Sequence, residues 1–144
     1  MEPEKLIENL AIAERLKDAT RHCYTSGGRR ESVAEHSWRI TLMAYFVSDE
    51  FPEADLAKLM KMCLIHDLGE AFTGDVPTFE KTEADEEKEA SLLDEWVKKL
   101  PDPFAKEMQE LYREMEERQT LEARIYKALD NLEALIQHNE SDIS

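Results

Sequence analysis

The chain has 144 residues, with 33 Asp and Glu against 18 Lys and Arg, for a formal net charge of −15. That length is enough for one domain, here residues 1–144, to bury roughly 70% of the surface its unfolded chain exposes. The charge argues against a partner that is polymeric nucleic acid or an anionic membrane, whose phosphates would repel it. Cys23 and Cys63 form no disulfide framework and point to a reducing compartment. The start, Met-Glu-Pro-Glu-Lys, lacks the layout of a signal peptide. The longest uncharged apolar stretch, Ile40 to Ser48, is too short to span a bilayer, so a soluble cytoplasmic chain is expected.

Most of the chain carries a helical period and strand signals are few. Leu6, Leu10, Ala13 and Leu16 predict a first helix over about Glu4 to Ala19. Arg21 to Arg30 contains Thr-Ser-Gly-Gly and reads as a loop. Ser32 with Glu35 has the spacing of a capping box and opens a second helix to about Glu50, before Pro52. The third helix, about Glu53 to Glu70, is apolar on nearly all sides from Leu59 to Ile65 and reads as central and buried. Thr73-Gly74-Asp75-Val76-Pro77-Thr78 marks a loop. Further helices are expected over about Glu80 to Lys99, Phe104 to Glu117 and Thr120 to His138. The acidic run Glu83 to Glu89 reads as a solvated face, and Trp38 and Trp96 as core or dimer aromatics.

An ionisable side chain buried without a partner is costly, so it is rare on an apolar face unless paired or metal-bound. His36 shares a helical stripe with Val33, Ile40 and Val47. His66 continues the stripe of Leu59 and Cys63, and Asp67 follows it directly. A lone histidine in such a place is ordinarily a hydrogen-bonded core residue. Two of them, one beside a carboxylate, turn the balance towards a divalent metal. Those three ligands need a further acid. On the last helix Leu121, Ile125, Leu129, Leu132, Leu135 and Ile136 form the main apolar stripe, which sets Asp130 on the opposite side. That side also carries Ala123, Tyr126 and Ala134, so periodicity leaves Asp130 balanced between ligand and surface acid.

His36, then His66-Asp67, then Asp130 in a late helix, resembles the H…HD…D signature of HD-domain metal-dependent phosphohydrolases. The stretches Glu31-Ser32-Val33-Ala34-Glu35-His36-Ser37, Ile65-His66-Asp67-Leu68-Gly69-Glu70 and Thr73 to Thr78 resemble the HD-domain 5′-deoxynucleotidase subgroup. The resemblance covers about Glu4 to His138. It implies an all-α fold, a compact HD-domain bundle of about six helices, and hydrolysis of (deoxy)nucleoside 5′-monophosphates to nucleoside and phosphate. It also implies a homodimer, and relatives usually continue past the last ligand-bearing helix.

By position, the resemblance assigns His36, His66, Asp67 and Asp130 to one divalent ion, with Mn, Co, Fe, Ni, Zn and Mg all open. Glu70 matches the catalytic acid, and Asp75 a residue near the sugar or the attacking water. Arg21 matches the phosphate-binding arginine, Lys81 a basic residue past the loop, and His22 stands where some members carry tryptophan. The chemistry agrees. Glu70 follows Asp67 by three residues and would project beside the metal if the helix persists. Arg21 lies in a basic island, Arg15 to Arg30, with five Lys or Arg and one acid. No histidine lies between Asp67 and Asp130, which argues against a second metal. His138 reads as a surface histidine. A non-catalytic nucleotide-sensing or scaffold domain is the rival reading, and Glu70 argues against it.

Overall fold

Ser32 and Glu35 form the reciprocal cap that their spacing predicts. The Glu35 N–H donates to Ser32 Oγ at 3.1 Å, and the Ser32 N–H to Glu35 Oε1 at 2.8 Å. That cap starts α2 (Val33–Phe46), which buries Val33, His36, Ser37, Ile40 and Ala44 along one stripe. The structure is a computed structural model and describes residues 1–73 and 81–141. Its other helices are α1 (Pro3–Glu14), α3 (Leu56–Ile65), α4 (Glu83–Lys98), α5 (Phe104–Glu117) and α6 (Leu121–Glu140). Asp55 caps α3 by accepting from the Lys58 N–H, and Thr120 caps α6 by accepting from that of Ala123. The fold is helical, as expected, and no helix among the described residues is long and apolar enough to cross a membrane.

The main core lies between α2, α3, α5 and α6. Ile40 and Ala44 meet Leu59, Met62 and Cys63, with Leu111, Met115, Ile125 and Leu129 closing the other side. A second cluster, Val97, Leu100 and Ala105, joins α4 to α5, and Trp96 packs against it. Trp38 is 63% exposed and so is not a core residue of the single chain. The third helix is less enclosed than its composition suggests, because Lys61 and Leu64 face outwards.

Four sequence expectations need correction. The segment read as a loop after residue 20 is a two-stranded antiparallel hairpin, β1 (Thr20–Tyr24) and β2 (Arg30–Ser32). Its strands lack an apolar alternation, so the pattern hid them. What holds them is external: Gln137 and Ser141, from the end of α6, both donate to the Tyr24 carbonyl at 2.8 Å. Gly28, at φ +88°, supplies the left-handed residue of the connecting turn. Secondly, the first α-helix stops at Glu14 and tightens into a 3₁₀ turn over Arg15–Lys17. Thirdly, α3 ends at Ile65, and Leu68–Ala71 forms a separate 3₁₀ turn. Fourthly, α6 buries only the first half of the stripe counted on it, through Ile125 and Leu129. Leu132, Leu135 and Ile136 are 46%, 57% and 38% exposed, whereas Glu133 and Gln137 are buried.

Candidate metal centre

The side chains of His36, His66, Asp67 and Asp130 come together where α2, the end of α3 and α6 meet. His36 Nε2 lies 2.7 Å from Asp130 Oδ1 and 4.0 Å from Asp67 Oδ2. His66 Nε2 lies 3.0 Å from Asp67 Oδ2 and 3.2 Å from Asp130 Oδ1. Donors bound ~2.1 Å from a common ion stand about 3–4 Å apart, so three of these separations match a ligand set, and the 2.7 Å between His36 and Asp130 is a hydrogen bond that a metal would replace. Asp130, balanced between two readings in the sequence, points inwards with only 17% of its side chain exposed.

The tautomers agree with a metal. His66 Nδ1 donates to the Cys63 carbonyl at 2.7 Å, and a carbonyl can only accept, so this nitrogen carries a proton. Among the described residues His66 Nε2 is buried and finds no hydrogen-bond partner, although two carboxylate oxygens stand close by. Burial opposes a charge on His66, but Asp67 and Asp130 outweigh it and hold the ring up to about 10, so a metal would take the place of a proton on Nε2. The same two carboxylates would balance the charge of a divalent ion.

Around this cluster stand groups that could handle a phosphate and a water. The short turn after α3 carries Glu70 into the site, although the α-helix itself has ended. Burial, reinforced by the Asp67 charge, pushes the Glu70 carboxyl up to about 7. Glu70 Oε1 lies 3.8 Å from Lys81 Nζ, and its Oε2 is buried without a hydrogen bond among the described residues. Lys81 is held at 2.9 Å by Glu89 of α4, which also accepts from the Thr73 hydroxyl at 2.5 Å. From the hairpin, Arg21 places Nη1 3.6 Å from Asp67 Oδ2 and Nε 3.6 Å from Glu31 Oε2. Both spacings are too long for hydrogen bonds, and Arg21 Nε and Glu31 Oε2 are buried with no hydrogen-bond partner among the described residues.

His22 is not brought into this cluster. It is exposed on β1, with Nδ1 3.4 Å from the Arg30 guanidinium. Asp75 lies outside the described residues. A cleft of about 820 Å³ opens beside His66 between α4, α5 and α6, with Leu93, Tyr112, Met115, Arg118 and Tyr126 in its wall.

Three residues at the site carry no signal in an apolar count. Glu133 is fully buried and bonds His36, Glu31 lies behind Arg21, and Glu89 holds Lys81. A different pattern would have found the first. Asp130, Glu133 and Gln137 repeat at helical spacing, facing His36 and Arg39 at the same spacing on α2.

Residues 13–144 match the family model of the HD domain. The chain belongs to the HD-domain family. Among curated relatives, the 5′-deoxynucleotidase HDDC2 of Homo sapiens is 29% identical over 139 residues, covering 94% of this HD-domain chain and 67% of that protein. The protein of the same name from Dictyostelium discoideum is 30% identical over 144 residues, covering 93% and 76%. The crystal structure of a predicted metal-dependent phosphohydrolase from Magnetospirillum magnetotacticum superposes with a TM-score of 0.79 at 30% identity. It covers 94% of this HD-domain chain and 71% of that one.

Proposed function

We propose that this HD-domain protein is a metal-dependent phosphomonoesterase that releases inorganic phosphate from 2′-deoxynucleoside 5′-monophosphates. The convergence of His36, His66, Asp67 and Asp130 beside Glu70 carries the reading. Relatives named 5′-deoxynucleotidase, matched along most of the chain, supply the substrate class. Two imidazoles and two carboxylates suit Mn, Co, Fe, Ni or Zn. A divalent ion held by them neutralises phosphate charge and makes a water easier to deprotonate.

The chain's own groups do the rest. Glu70 takes a proton from the attacking water, a role for which a carboxyl near 7 is well matched at neutral pH. The water oxygen bonds to phosphorus, the bond from phosphorus to the 5′ oxygen breaks, and Glu70 returns the proton to the departing oxygen. Arg21, which reaches Glu31 and Asp67 only at 3.6 Å, offers its planar fork to the phosphate. Lys81 adds a second cation on the Glu70 side. The cleft beside His66 is of a size to take the nucleoside. Asp75 is assigned near the sugar by resemblance, as is assembly as a homodimer of single domains.

A phosphate-release screen of nucleotides against several metals tests the proposal. Activity should fall with EDTA and be largely lost in Asp67→Ala and Glu70→Ala. Equal activity in the wild type and both variants would overturn it.

A further inference from the structure

The two histidines of the centre are held from behind by different partners. His66 Nδ1 donates to a backbone carbonyl, that of Cys63. His36 Nδ1 instead meets the carboxylate of Glu133, whose side chain is completely buried. Glu133 stands on α6 three residues after Asp130, so one helix supplies both a carboxylate to the front of the His36 ring and one to its back.

Glu133 is itself held in place from α2. Glu133 Oε1 accepts from Arg39 Nε at 2.9 Å, and Arg39 goes on to Gln137 Oε1 at 3.0 Å and Glu140 Oε1 at 2.7 Å. Arg39 is on α2, three residues after His36, so the ring and the guanidinium share the same carboxylate, one oxygen each. Glu31 is the other acid beside His36 and Glu133, and its nearest cation is Arg21. Glu133 thus holds the Nδ1 side of the His36 ring and leaves Nε2 turned towards Asp130 and Asp67, where a cation would take it.

The geometry points to Glu133 as the positioning residue of His36: paired with Arg39, it fixes the tautomer that presents Nε2 to the metal. The inference rests on the metal-centre reading above. Carboxylates behind metal-bound histidines typically change metal affinity by about 10–100-fold.

Isothermal titration of the metal-free protein with Zn²⁺ tests it, alongside ¹⁵N spectra of the histidine rings in the Zn²⁺-loaded protein. Glu133→Ala should weaken Zn²⁺ binding by about 10–100-fold and remove the protected Nδ1–H signal of His36. Glu133→Gln keeps an acceptor oxygen for Nδ1–H and should recover much of the affinity, while guarding against a variant that merely fails to fold. Gln137→Ala loosens the same junction, since it loses the Tyr24 and Arg39 contacts, but does not touch His36, and should bind Zn²⁺ within about twofold of wild type. Wild-type affinity in folded Glu133→Ala, or equal losses in Glu133→Ala and Gln137→Ala, overturns the inference. Tight Zn²⁺ binding by a wild type with no phosphatase activity would overturn the proposed reaction and leave this inference standing. A wild type that binds no Zn²⁺ overturns both.

Discussion

Glu89 leaves Gly69 no room for a side chain. A β-carbon built on Gly69 would stand 3.1 Å from Glu89 Cγ and 3.3 Å from its Oε2, tighter than ordinary contact. Glu89 cannot simply move aside, because its carboxylate holds both Thr73 and Lys81. Gly69→Ala should therefore destabilise the protein by ~1–2 kcal/mol and lower kcat/KM by displacing Lys81 from Glu70. In a Glu89→Ala background the same change should cost almost nothing. A double-mutant cycle by urea denaturation checks this, and additive effects would refute the clamp.

Arginine and lysine should not be interchangeable at position 21. Arg21 reaches towards Glu31 and Asp67 with two different nitrogens, which one ammonium cannot copy. Arg21→Lys should lower kcat/KM by ~10–100-fold, the loss of a charged hydrogen bond worth ~1.5–3 kcal/mol. Steady-state kinetics at saturating metal reads this directly, and lysine matching arginine would remove phosphate binding from Arg21.

Glu31 makes stability depend on pH. Burial, and then Glu133, push its carboxyl from the usual 4.5 up to about 7 in the folded chain. Between those values the folded state binds the extra proton, so this group's contribution falls as pH rises through the window and is flat above it. Glu31→Gln should flatten that decline and stabilise the metal-free protein above pH 8 by up to ~2–3 kcal/mol. Thermal melts in EDTA across pH 4–9 test the sign; a variant less stable than wild type at pH 8 contradicts it.

For Glu70 the prediction concerns rate. A base held up to about 7 must lose its proton to work, so kcat/KM should climb with pH and level off above that value. Glu70→Gln should flatten the profile and cost ~10²–10⁴ in rate. An unchanged profile in the variant would assign the titration to another group.

Metal should also stabilise the fold. At a hundredfold excess over Kd, a bound ion contributes ~2.7 kcal/mol, several degrees in melting temperature. Asp67→Ala should abolish the shift, and a shift that survives would place the ion elsewhere.

The front of the site was legible in the sequence because His36 and His66-Asp67 interrupt apolar stripes, where an ionisable group needs a reason. Its back was not. Glu133 and Gln137 sit on a face of α6 that hydropathy counts as exposed, and only partners far along the chain, Arg39 and Tyr24, make their burial affordable. Leu132, Leu135 and Ile136 misled for the same reason, since the stripe that Ile125 and Leu129 bury gives way to Glu133 and Gln137 further along α6. The hairpin escaped because Thr-Arg-His-Cys-Tyr has no apolar alternation, and its anchor, Ser141, is 117 residues away from Tyr24.

That strand-to-helix tie has a consequence for how the protein is made. A chain emerging from the ribosome can build α2 and α3 early, yet it holds only three of the four converging ligands until α6 has been synthesised. Arg21 waits as well, because its strand is pinned by the last turn of that helix. The nascent chain therefore presents no complete set of the four ligands until α6 is in place.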